Sequence, residues 1–124
     1  MSIFQGVMQT NMMVSDIEAA KNWYRDVLQA EIEKDYGTTV VLTFGSDSPS
    51  GTLCLIQDKE AAGENHSTYP VLQISPEFKD TLYEKLLEKD VEVEGDPAHR
   101  SHFKFYDPDG NRLEAYNPGI YEES

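Results

Sequence analysis

Three histidines, one cysteine and a run of alternating polar side chains near the C-terminal end are where chemistry can be sought in this sequence. His102, Lys104 and Tyr106 alternate with Phe103 and Phe105. On a strand that spacing puts an imidazole, an ammonium and a phenol on one face, and two apolar rings on the other. The polar face either lines a ligand site or meets solvent. His99 and His102 flank Arg100 and Ser101, and His66 lies in a polar stretch just ahead of Tyr69. His66 is read as an exposed loop residue or as a donor to a metal or proton. Cys54 stands in an apolar segment, where it is a small buried hydrophobe or a ligand for a softer ion such as zinc. No serine, histidine and aspartate form a recognisable nucleophile context, and no glycine-rich loop could cradle phosphates.

The elements that must position these groups follow from hydrophobic periodicity. Residues 5–14 alternate, with Met8, Thr10, Met12 and Val14 on one face and Val7, Gln9, Asn11 and Met13 on the other. Ser15-Asp16-Ile17-Glu18 has the form of a capping box, with Ser15 as the cap and Glu18 reaching back. Ile17, Ala20, Trp23, Tyr24, Val27 and Leu28 then recur at helical spacing, which predicts an amphipathic helix to about residue 29. Trp23 and Tyr24 are packing residues in this reading. Short strands are expected near 30–36, 39–45 and 52–57, set apart by Gly37 and the Gly/Ser/Pro-rich stretch at 45–51.

A polar connector, residues 58–68, separates this unit from a second one with the same order. A strand at 69–74 leads to Ser75-Pro76 at a helix start, and Phe78, Leu82, Leu86 and Leu87 supply an apolar stripe that ends near Asp90. Val91 to Glu94 and His102 to Tyr106 read as strands, Asp107-Pro108-Asp109-Gly110 turns the chain, and Leu113 to Tyr116 closes the pattern. The fold class is α+β, as two βαβββ modules, about 5–57 and 69–117, within one domain of 124 residues.

Charge narrows the functions open to such a domain. With 23 acidic against 10 basic residues the net charge is −13, which disfavours nucleic acid and an anionic membrane surface as partners. No apolar run approaches the ~20 residues of a spanning helix, and the start of the chain has no secretory pattern, so a cytoplasmic protein is expected. Cys54, the sole cysteine, has no intrachain partner.

Two stretches carry a resemblance to a known family. Val14-Ser15-Asp16-Ile17-Glu18-Ala19-Ala20 through Trp23-Tyr24-Arg25-Asp26-Val27-Leu28, taken with Phe105-Tyr106-Asp107-Pro108-Asp109-Gly110-Asn111-Arg112-Leu113-Glu114, resembles the vicinal oxygen chelate superfamily. That group includes glyoxalase I, extradiol dioxygenases, fosfomycin-modifying enzymes and bleomycin-resistance proteins. The resemblance implies paired βαβββ modules, forming curved mixed sheets around a cleft, usually in a homodimer. In its metal-using members a divalent ion (Zn, Ni, Mn or Fe) is held by four inward side chains. Carried over by spacing, these positions fall on Gln9 and Glu114, and near Cys54 and Tyr69; a slip of three residues brings in His66. Gln9 and Glu114 suit a hard cation, whereas Cys54 and Tyr69 depart from the usual ligands.

The resemblance therefore implies a cleft that binds a small molecule, with cationic guests favoured by the acidic surface and no metal strictly required. Its ligand-contacting candidates are Gln9, Asn11, Tyr69, Gln73, His102, Tyr106 and Tyr116, with Glu114 as the catalytic candidate. The alternative is a metal-dependent lyase, isomerase or dioxygenase whose ion is held by Gln9, Glu114, His66 or Cys54.

Overall fold

The computed structural model describes residues 3–4, 6–45, 51–65, 67–95 and 102–117. The chain divides into two units, Met1–Ala62 and Gly63–Ser124. In the first, strand β1 (Gln9–Val14) leads to helix α1 (Ile17–Leu28), followed by β2 (Glu31–Asp35), β3 (Thr39–Thr43) and β4 (Thr52–Gln57). The sheet order is β1-β4-β3-β2, with β1 parallel to β4 and the other neighbours antiparallel. Alternation decides which side is core. Met12, Val14, Val40, Leu42, Leu53 and Leu55 are buried, together with Ile17, Ala20, Tyr24 and Val27 from α1. Burying each large aliphatic or aromatic side chain contributes about 1.5–3 kcal/mol. Tyr24 is fully buried, its hydroxyl reaching Met12 Sδ at 3.8 Å, and Trp23 packs edge-on to it at 4.9 Å.

The start of α1 corrects one expectation. Asp16, not Ser15, is the cap: its backbone is extended, and its carboxylate accepts from the N–H groups of Glu18 (3.1 Å) and Ala19 (3.2 Å). A carboxylate opposes the positive end of the helix better than a hydroxyl does. The Glu18 side chain does not reach back but pairs with Lys21 at 2.8 Å. Gln57 of β4 accepts from Ile17 N at 3.0 Å and so ties the first turn to the sheet. At the other end Gln29 takes a left-handed conformation, and Ala30 N donates to Tyr24 O at 3.1 Å.

The second unit repeats the order. Strand β5 (Val71–Gln73) leads through a 3₁₀ turn (Pro76–Phe78) to α2 (Lys79–Glu88), then β6 (Val93–Glu94), β7 (His102–Tyr106) and β8 (Arg112–Tyr116). The order β5-β8-β7-β6, with β5 parallel to β8, matches that of the first sheet. Each unit is thus a βαβββ module built on a mixed sheet. Leu86, Phe103, Phe105, Leu113 and Ala115 form the core, and Tyr83 of α2 meets Phe103 edge-on at 5.3 Å. The predicted helical stripe is only partly right. Leu86 is buried and Leu82 half-buried, whereas Phe78 and Leu87 are exposed, and Tyr83, outside the predicted stripe, is buried in their place. Phe78 lies in the 3₁₀ turn, whose tighter pitch takes it off the α-helical face, and Leu87 sits about 100° round from Leu86.

The corrected cap makes a direct stability test. Asp16→Ala should lower the unfolding free energy by about 1 kcal/mol in urea titration, and Ser15→Ala by a few tenths. The reverse order would restore Ser15 as the cap.

Candidate functional site

The polar face of the second sheet gathers most of the residues singled out for chemistry. The antiparallel register sets His102 opposite Tyr116, Lys104 opposite Glu114, and Tyr106 opposite Arg112. On the parallel side Val71 meets Glu114 and Gln73 meets Tyr116. Because side chains alternate, these residues share the face that points away from Phe103, Phe105, Leu113 and Ala115. His102 Nε2 stands 3.0 Å from Glu114 Oε2, with the Glu114 side chain 11% exposed and that of His102 38% exposed. The carboxylate is therefore sheltered while the imidazole reaches solvent. Tyr116 packs edge-on to the same imidazole at 5.4 Å.

A second cluster lies further along the face. The Arg112 guanidinium stands over the rings of Tyr69 (5.5 Å) and Tyr106 (5.6 Å). Arg112 Nε donates to the Tyr106 hydroxyl at 3.1 Å, and that hydroxyl donates to Glu94 Oε2. Glu94 also lies 3.9 Å from Arg112 Nη2. Burial, and then the bond to Glu94, hold the Tyr106 phenol above its ordinary value, against the opposing pull of Arg112. Tyr106 thus stays a protonated donor under ordinary conditions. Arg112 and Glu94 were not singled out from sequence, although Arg112 shares strand parity with Glu114 and could have been found that way.

What fixes this arrangement is the turn between β7 and β8. Asp107 is buried, and its carboxylate accepts from Asp109 N, Asn111 N and Asn111 Nδ2, each at 2.9 Å. Gly110 takes φ +87°, which lets its N–H return to Asp107 O at 2.9 Å. The expected hairpin turn is present, with Asp107 as its organiser. Asn111 Oδ1 accepts from Gly63 N at 3.0 Å, and Asn65 bonds both Arg112 N (2.7 Å) and Arg112 O (3.1 Å). The Asn65 amide thus imitates a neighbouring strand and holds the connector against β8. Gly63 permits the approach, since a Cβ there would lie 2.3 Å from Asp109 O.

The first unit places its candidates together as well. Gln9 Nε2 donates to Asn11 Oδ1 at 2.7 Å, and Asn11 is paired in register with Cys54. Gln9 and Asn11 are exposed, whereas Cys54 is buried. Burial pushes the Cys54 thiol up, which disfavours the thiolate that a metal would need. Gln9, Asn11 and Cys54 belong to one unit, and Tyr69, Gln73, His102, Tyr106, Glu114 and Tyr116 to the other. His66 and His99 lie outside the described residues.

A metal centre needs more donors than this. Among the described residues no group of three or more His, Cys, Asp or Glu side chains could hold an ion. On the second sheet's polar face Glu114 and His102 engage each other, and Glu94 engages Tyr106 and Arg112. The described residues do not fit a metal site of three or four protein ligands.

Comparison with known proteins places the fold. Residues 6–115 match the family described as the Glyoxalase/Bleomycin resistance protein/Dioxygenase superfamily. The chain belongs to that superfamily. No curated protein matches it significantly. Among solved structures, it is similar to the fosfomycin resistance protein FosX from Listeria monocytogenes, with TM-score 0.77, 16% identity, and 98% of this chain and 100% of that chain covered. It is similar to glyoxalase I from Leishmania major, with TM-score 0.75, 17% identity, and coverage of 97% and 91%. A possible glyoxalase from Bacillus cereus aligns with TM-score 0.72, 21% identity, and coverage of 91% and 99%. At these identities the likeness establishes the fold of the superfamily member and leaves its chemistry to the side chains described above.

The raised Cys54 thiol has a measurable consequence. Alkylation by iodoacetamide at about pH 8 should be slow in the native protein and fast in urea. The unfolded chain ionises this thiol first, so its contribution to stability is present below the ordinary thiol range of about 8.5 and declines as pH rises through it. Equal native and unfolded alkylation rates would contradict the burial of Cys54.

Proposed function

We propose that this protein binds a small organic molecule on the polar face of its second sheet, with Glu114 as the acid group that meets the guest. The observation that carries the reading is the sharing of one face by Tyr69, Gln73, His102, Tyr106, Glu114 and Tyr116, opposite the apolar core. Aromatic rings beside a few oriented polar groups are what a small-molecule site requires. The charge of −13 favours cationic groups on the guest through long-range attraction. In this reading the protein acts as a cytoplasmic homodimer and needs no metal to hold its ligand. FosX and glyoxalase I share the fold, which makes fosfomycin a reasonable first compound to test.

One observation favours a catalytic reading beside it. Glu114 is sheltered and aligned by His102 at 3.0 Å, an arrangement in which a carboxylate and an imidazole can pass a proton to or from a bound substrate. Glu114 would then be the catalytic residue of a lyase, isomerase or dioxygenase. A metal-assisted version of that chemistry predicts stoichiometric metal in purified protein, and loss of turnover on chelation.

A thermal-shift screen of small molecules, fosfomycin included, tests the binding reading, because a ligand that prefers the folded state raises its melting temperature. Glu114→Gln should keep the fold and weaken any bound hit by about tenfold or more. Unchanged affinity in that variant contradicts the assignment of Glu114. Retained binding with lost turnover would identify the catalytic reading instead.

A further inference from the structure

The polar face of the second sheet carries a positive charge that the composition of the chain does not lead one to expect. Building on the reading that this face binds a small molecule, we propose that the molecule carries a compact oxyanion (a carboxylate, phosphonate or phosphate) and that Lys104 receives it.

The argument starts from charge pairing. In a chain with 23 acidic and 10 basic residues, a lysine beside carboxylates is expected to be neutralised by one of them. Lys104 sits in the middle of β7, in register with Glu114 on β8 and with Glu94 on β6. Both acids are drawn elsewhere. Glu114 Oε2 is 3.0 Å from His102 Nε2, while Glu94 Oε2 accepts from Tyr106 and stands 3.9 Å from Arg112. Among the described residues the Lys104 ammonium enters no ion pair or hydrogen bond, although the residue is half-buried.

The neighbouring groups keep it so. Arg112 shares the face, and its guanidinium stands over the rings of Tyr69 and Tyr106, so the second cation stays near β7. It also engages Glu94, the carboxylate in register with Lys104 on the outer side. An ammonium with three donors and a compact charge is matched by an oxyanion, and half-burial strengthens the attraction relative to open water. A guest with an oxyanion at Lys104 and a cationic or hydrogen-bonding group near Glu114 would satisfy both sides of the register pair. Long-range attraction by the acidic surface and local capture by Lys104 thus act on different ends of one molecule.

The test uses four probes that share a phenyl ring and differ in charge: benzoate, phenylphosphonate, benzylammonium and benzyl alcohol. Each is titrated into the ¹⁵N-labelled full chain, and amide shifts are followed. Benzoate and phenylphosphonate should perturb residues 102–106 and 112–116, with affinity about tenfold lower in Lys104→Gln and retained in Lys104→Arg. The oxyanion proposal is overturned if benzylammonium or benzyl alcohol perturbs this face while both anions leave it unchanged, an outcome that preserves the binding site itself. It is equally overturned if Lys104→Gln binds the anions as tightly as the parent protein. Should none of the four probes perturb the face, the small-molecule reading fails and takes the oxyanion with it.

Discussion

The buried carboxylate of Asp107 is the interaction on which the rest of the second unit depends. Its three hydrogen bonds close the turn between β7 and β8, and the turn sets which residue of β7 faces which residue of β8. A slip of one residue would exchange the two faces of β8, sending Arg112, Glu114 and Tyr116 into the core and Leu113 and Ala115 to the polar side. Loss of the carboxylate would remove its hydrogen bonds to the two buried Asn111 donors and the part-buried Asp109 N–H, at about 1–3 kcal/mol for each that water could not reach. The same turn holds the connector through Asn111 and Gly63, while Asn65 grips Arg112 from the connector side. Tyr69 follows from that segment onto the ring-facing side of Arg112.

Much of this is legible in the sequence through alternation. Period-two spacing identified the polar face of β7, and helical spacing located α1 with its buried Tyr24. The order of strands and helices in both modules followed from the same periodicities. The local competition for the first turn of α1 was less legible, because Ser15 and Asp16 are both good caps and only the backbone conformation decides between them. Phe78 and Leu87 misled for a related reason: composition marks them as apolar, while the 3₁₀ entry of α2 sets the phase that exposes them.

Pairings between distant residues were the least legible. Asn65 and Arg112 are 47 positions apart, and nothing in either residue type announces that one amide will bond both backbone groups of the other. Glu94 came to the site in the same manner, through a Tyr106 hydroxyl that it shares with Arg112. Net charge proved a coarse guide, since a chain of −13 presents Lys104 and Arg112 together on one half-buried face. The likeness to FosX and glyoxalase I extends over nearly the whole chain and establishes the fold, while the chemistry rests on side chains that the likeness does not assign.

The register of β7 against β8 is the most direct point at which to test this account, because the shared polar face follows from it. Cross-strand nuclear Overhauser contacts in the isotope-labelled protein read that register without reference to any ligand. Contacts linking Lys104 to Glu114 and Phe105 to Leu113 are predicted. Contacts linking Phe103 or Phe105 to Glu114 as the directly opposed pair would contradict it, since Glu114 would then share its face with the core rings.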